Sequence, residues 1–292
     1  MFPVDVTASE LPPRPAAATA VRRLQPSRGL LLVNWRELWQ YRELLFTFMW
    51  RDIRARYKQT YLGPLWAILK PVVSMVLLAA VFGGLAGFTS GQPNVPYPLF
   101  LYAGLLVWSY FLSALPGAAA ALLNNANIIG KIYFPRLYAP IAQVTAPLID
   151  FLIAFFVLIG LFAYYGRWPS WHIVFLPVFI LLAVLAALGF GIWLCGISVR
   201  YRDIAFTIPF VLQLWFYITP VLYPVGRLPE PYRKLIAINP MTAVVDGFRW
   251  SLLGISRPNV GVLLASTGVV FAVLISGLLV FRRAERTVVD MF

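Results

Sequence analysis

The strongest constraint on this chain is the recurrence of long apolar segments. Six stretches, residues 65–88, 98–123, 137–165, 171–199, 205–223 and 258–281, run for the length of a bilayer crossing with Lys70 and Asp150 as their only Lys, Arg, Asp or Glu. Crossing about 30 Å of hydrocarbon at about 1.5 Å per residue takes roughly 20 apolar residues in a helix. A backbone in hydrocarbon must also satisfy its polar groups internally, which a helix does. The chain therefore reads as an all-α membrane protein with six transmembrane helices. Its charged share, 12% of 292 residues, is about half that of soluble domains.

The net charge of +13 does not imply nucleic acid, because the cations are not clustered on a solvated face among stacking aromatics. They sit in the connections between apolar segments. Six crossings place both termini on one side, and most Lys and Arg fall there; the other side holds Arg167, Arg227, Arg233, Lys234, Arg249 and Arg257. The positive-inside rule makes the richer side, and both termini, cytoplasmic. Arg51, Arg54, Arg56 and Lys58 sit at the lip of the first crossing as an anchor to the anionic inner leaflet. Lys70 lies about one and a half turns inside that crossing, within snorkelling reach of the headgroups.

Three regions follow: a Pro/Ala-rich disordered tail over 1–30, an amphipathic interface helix within 31–61, and the six-crossing domain over 62–292. The tail has no apolar core of signal-peptide length. In the second region Trp35, Leu38, Leu45, Phe48 and Met49 alternate at helical spacing with Arg36, Glu37, Arg42 and Glu43. That is the composition of a helix lying in the membrane plane, serving as an anchor or also as a handle for a partner.

Two connections stand out. The cytoplasmic one, 124–140, carries Ile128, Ile129, Ile132, Tyr133 and Phe134, more large apolar groups than solvent tolerates, so it docks on a protein or dips into the headgroups. The external one, 224–257, contains a short helix with Asn239 as N-cap, Pro240 at its first position and Gly254 at its end. Asp246 and Arg249 are spaced as an i, i+3 pair on it. The helix is too short to cross, and is re-entrant or interfacial.

Catalytic chemistry is absent from the pattern. The nearest fragment to a phosphate-binding loop has Asn125 in place of the first glycine and Ile132 in place of the hydroxyl residue. His172 and Cys195 are the only His and Cys, so no metal or cofactor is expected on this chain. Asp150, inside the third crossing, fits structural hydrogen bonding, gating or proton coupling. Trp215, Phe216, Tyr217 and Tyr223 fit either packing between helices or a path for sugar rings, whose C–H faces stack on aromatics. Few titratable residues and no internal repeat disfavour a secondary transporter. A glycosyltransferase would need a carboxylate pair beyond Asp150, Asp246 and Glu230.

The segment RDIRARYKQTYLGPLWAILKP, with NIIGKIYFPR, VRYRDI and NPMTAVVDGFRW following in order, is similar to the permeases of bacterial ABC exporters of O-antigen, capsule and wall teichoic acid. The likeness runs from about Trp35 to the C-terminus. It implies a homodimer in the bacterial inner membrane, served by two copies of an ABC ATPase that bind the ATP and Mg, and moving a polysaccharide or lipid-linked glycan outward. The alternatives within transport are a capsule or teichoic acid exporter, or one for a smaller lipid or drug. By the same resemblance Asn127, Ile128, Ile129, Lys131, Ile132, Tyr133, Phe134 and Pro135 look like the ATPase-coupling helix. Trp35, Leu38, Arg51, Arg54 and Arg56 belong to the interface helix. Asn239, Pro240, Phe248 and Arg249 look like an external gate, and Trp215, Phe216, Tyr217 and Tyr223 like part of the sugar channel. Lys70 departs from the Gln expected in that motif. Gly63 and Pro64 would form a corner through which a push on the interface helix tilts the first crossing.

Overall fold

The computed structural model describes residues 35–58, 61, 63–129, 134–201, 203–255 and 257–291. The tail over 1–30 lies outside them. The described residues are helices and turns, with no strand among them.

The region expected to be an interface helix is two helices, α1 (Trp35–Gln40) and α2 (Arg42–Tyr57), separated by a non-helical Tyr41. After the corner at Gly63, whose φ of +45° is a conformation that glycine adopts without strain, α3 (Leu65–Leu78) begins behind Pro64 and widens into an i→i+5 helix over Ala79–Leu85. Next come α4 (Tyr97–Ala119), the short α5 (Ala121–Asn124) and α6 (Ala126–Ile129), α7 (Tyr138–Thr145) and α8 (Pro147–Tyr164). A one-turn helix, Trp171–Phe175, leads into α9 (Leu176–Ser198). The chain ends with α10 (Asp203–Ile218), α11 (Glu230–Ala237), α12 (Pro240–Leu253) and α13 (Val260–Met291).

Among the described residues, five segments are long and apolar enough to cross a bilayer: Leu65–Leu85, Tyr97–Ala119, Tyr138–Tyr164, Trp171–Ser198 and Val260–Glu285. The fifth expected crossing, 205–223, is represented by α10, whose 16 residues give about 24 Å. It stops early because Pro220 has no N–H to continue the ladder. Residues 219–222 instead form a buried turn.

Helix α4 is the centre of the bundle: 78% of its most apolar window is buried inside the chain, against 11% for Leu65–Leu85 and 17% for Val260–Glu285. Leu99, Leu101, Leu106, Phe111 and Leu115 of α4 meet Phe151, Leu158, Phe179, Met241 and Phe248 in one apolar core. Along the α9–α13 seam Gly189, Gly196 and Gly277 let the backbones close; a Cβ on Gly277 would lie 2.8 Å from the Gly189 carbonyl oxygen. With so little of α3 buried, its outward residues Val73, Val76 and Leu77 face lipid or another chain.

Candidate functional site: two polar clasps on one helix

Polar side chains gather at two places along α4, near Phe100 and near Ser113, about 20 Å apart along the helix axis.

The Ser113 clasp ties α2 into the bundle. Arg56 donates from Nη1 to Asp150 Oδ2 on α8 at 2.9 Å and reaches Ser113 Oγ at 3.3 Å. The Tyr57 hydroxyl donates to the other oxygen, Asp150 Oδ1. Burial first, and then that hydrogen bond, raise the Tyr57 phenol above its ordinary value, so it stays a donor. One turn earlier, Asp52 Oδ2 accepts from Gln143 Nε2 of α7 at 2.8 Å, and Arg51 Nη2 donates to Asn125 Oδ1 at 2.8 Å. The carboxylate inside the third crossing is therefore bound from α2 by a cation and a phenol.

An apolar contact binds the same two regions. Phe48 of α2 packs on Phe134 with ring centroids 5.0 Å apart, and Leu38, Tyr41, Leu44, Ile128 and Tyr138 close around them. The Tyr138 hydroxyl donates to the Leu38 carbonyl. Phe134 is only 4% exposed, so it belongs to the seam between the loop and α2, and the apolar excess of residues 124–140 is partly spent inside the chain. Asn127 is exposed, while Ile128 and Pro135 are half-buried. The readings of Lys131, Ile132 and Tyr133, and of the side chains of Trp35 and Ile129, lie outside the described residues. Arg54 turns outward over the Trp50 ring at 4.9 Å.

The Phe100 clasp is built on α12. Asn239 caps that helix, accepting from Met241 N at 3.0 Å, and Pro240 and the left-handed Gly254 bound it as the sequence predicts. Asn239 also accepts from Trp215 Nε1 at 3.0 Å and donates to Thr219 Oγ1 at 3.0 Å. Arg249, 1% exposed, donates to the carbonyls of Phe100 (3.0 Å), Pro220 (2.6 Å) and Val221 (2.5 Å), and stacks on the Phe100 ring at 3.6 Å. The bonds to Pro220 and Val221 satisfy carbonyls that the broken end of α10 leaves free, and the bond to Phe100 ties α12 to α4. The expected Asp246–Arg249 pair does not form: no ion pair joins them among the described residues. The guanidinium points from α12 toward α4 and the 219–222 turn, where carbonyls converge. Phe248 is buried against Phe151, centroids 6.0 Å apart.

The four aromatic residues read as a path diverge. Trp215 and Phe216 turn inward onto Trp108, at 6.5 and 5.8 Å between centroids, whereas Tyr217 is 55% exposed. Tyr223 is half-buried, its hydroxyl donating to the Tyr217 carbonyl at 3.2 Å. Trp215 and Phe216 are thus packing residues within the chain, and Tyr217 is presented outward with Phe206 and Phe210.

Sequence reasoning did not single out Asp52, Tyr57, Asn125 and Gln143. A signal existed for the first two, since Asp52 is the one acid and Tyr57 the one aromatic residue in the run 51–58. Asn125 and Gln143 are ordinary in isolation and gain meaning only from their distant partners.

Helices of bilayer length around α4, with α2 keyed into them and a clasped short helix at the other end, define a multi-helix membrane protein. The chain belongs to the ABC-2 type transporter family, whose model matches residues 43–253. It is 32% identical over 217 residues to the O-antigen export system permease protein RfbA of Myxococcus xanthus, covering 73% of this chain and 82% of that one. It is 28% identical over 249 residues to the protein of the same name from Klebsiella pneumoniae, covering 83% and 92%. The polysialic acid transport protein KpsM of Escherichia coli is 27% identical over 201 residues, covering 67% and 76%.

Proposed function

We propose that this chain is the membrane permease of an ATP-driven exporter that carries a polysaccharide, O-antigen in the first instance and in lipid-linked form, out across the bacterial inner membrane. The observation that carries this reading is the match to O-antigen export permeases over most of the chain. The KpsM match makes a capsule polymer the second reading. With no phosphate-binding loop in the sequence, the fuel is handled by two copies of a partner ATPase, which bind ATP and Mg. The permease works as a homodimer with both termini cytoplasmic. The exposed apolar faces of α3 and α10, including Val73, Val76, Phe206 and Phe210, suit lateral contact between copies.

In this reading the ATPase seats against the exposed part of the 124–135 loop around Asn127. The loop moves with α2, because Phe134 and Ile128 pack on Phe48 and Arg51 holds Asn125. The Arg56 and Tyr57 bonds to Asp150 pass that motion to α8, and Gly63 with Pro64 passes it to α3. At the far end, α12 with Asn239 and Arg249 acts as a gate, and Tyr217 faces the path between copies. The test is complementation: a strain deleted for its O-antigen permease, supplied with this chain and its ATPase, regains surface polysaccharide. Cytoplasmic accumulation of polymer despite stable complex would overturn the substrate assignment.

A further inference from the structure

Beside the Ser113 clasp lies a cavity of about 460 Å³ between α2, α3, α4 and α8, lined among others by Arg56, Trp66, Lys70, Ser109, Ser113 and Asp150. Its size falls within the range of small-molecule sites, roughly 300–1,000 Å³. Its lining is mixed, with Pro71, Leu106, Phe151 and Ala154 among the apolar residues.

The charges in this cavity do not balance. Asp150 is its only carboxylate, and both oxygens are already engaged, Oδ2 by Arg56 and Oδ1 by Tyr57. Lys70, six residues into α3 and so about 8 Å from its start, has no carboxylate oxygen within 4.0 Å among the described residues. Its ammonium lies 6.0 Å from the Trp66 ring centroid. Lys70 is exposed on the chain's surface, and a cation near the start of a crossing either snorkels to the headgroups or meets an anion or water where it lies. A cavity lined by cations, hydroxyls and apolar side chains fits the junction of an amphiphile, with the head at Lys70 and the first methylenes against Leu106 and Phe151.

The geometry points to this cavity as a seat for the phosphate of a lipid headgroup, with Lys70 as its counter-ion and Ser109 and Ser113 as hydroxyl partners. Trp66 flanks the headgroup, and the acyl or prenyl chain runs past Leu106 and Phe151. The phosphate comes from a bilayer phospholipid or from a polyprenyl carrier. The site stands whether or not the chain exports a glycan, because it rests only on the cavity and its charges.

Native mass spectrometry of the full-length protein, purified with the subunits that accompany it, tests this with three probes: phosphatidylglycerol, undecaprenyl phosphate and phosphate-free diacylglycerol. Wild type and Lys70→Arg are expected to retain phosphatidylglycerol, and Lys70→Gln to retain roughly fivefold less, the factor expected for one lysine near a membrane surface. Ser109→Leu, which keeps Lys70 and fills the cavity, is expected to lose the lipid as well. Displacement of phosphatidylglycerol by equimolar undecaprenyl phosphate assigns the site to the carrier, and its persistence assigns it to the bilayer lipid; both outcomes support a phosphate seat. Equal retention by Lys70→Gln and wild type, or diacylglycerol held as well as phosphatidylglycerol, overturns it and leaves a hydrated lysine.

Discussion

Arg56 on α2 and Asp150 on α8 meet at 2.9 Å, although 94 residues separate them in the chain. Each side chain is a little over a quarter exposed, at 27% and 28%, so solvent weakens the pair relative to a buried one. A charge-assisted bond of this kind contributes on the order of 1–2 kcal/mol. A double-mutant cycle of Arg56→Gln and Asp150→Asn is therefore expected to give a coupling energy of about that size in thermal unfolding of the purified protein. Strict additivity of the two substitutions contradicts the pairing.

The seam between loop and α2 separates packing from docking. Phe134→Ala removes a buried ring and is expected to destabilise the protein by about 3 kcal/mol. Asn127→Asp alters an exposed side chain and is expected to change stability by less than about 0.5 kcal/mol. The ATPase should nevertheless co-purify less with Asn127→Asp. Unfolding midpoints and pull-down yields, measured on the same preparations, distinguish the two effects.

At the other end, Arg249→Met strands the two buried carbonyls of Pro220 and Val221 at about 1–3 kcal/mol each, enough to lower stable assembly. Gly104→Ala attacks the same clasp from α4, since the added Cβ would lie 2.2 Å from Arg249 Nη2. Both variants are expected to lower the folded yield and open the 224–257 connection to protease. An unchanged proteolytic pattern in Gly104→Ala contradicts the assigned position of the guanidinium.

The corner before α3 has its own signature. Gly63 has φ +45° and open space around a would-be Cβ, so Gly63→Ala is expected to cost only about 1 kcal/mol, from backbone conformation alone. If the corner transmits motion, the double variant Gly63→Ala, Pro64→Ala hydrolyses ATP in complex but exports less polymer per ATP. Unaltered coupling removes the corner from the mechanism.

What the sequence made legible was local. Long apolar runs give helices by length, and Asn239, Pro240 and Gly254 delimit α12 by cap chemistry acting within a few residues. The early end of α10 was half visible in Pro220, but its burial depends on Arg249, 29 residues on, supplying donors to the freed carbonyls. The surroundings of Asp150 and Phe134 were not visible, because their partners come from α2 and only the folded chain brings them together. Along the sequence Asp150 is the lone carboxylate of the crossings; in the fold α2 reaches it through Arg56, one of the anchoring cations, and through Tyr57.

The most direct measurement is photo-crosslinking from a photoreactive residue placed at Asn127, in membranes where this chain and its ATPase support export. A crosslinked adduct with the ATPase, its yield changing between nucleotide-free and ATP-bound states, is the expected result. Full export with adducts only to lipid or to the chain itself would contradict a permease driven from that loop.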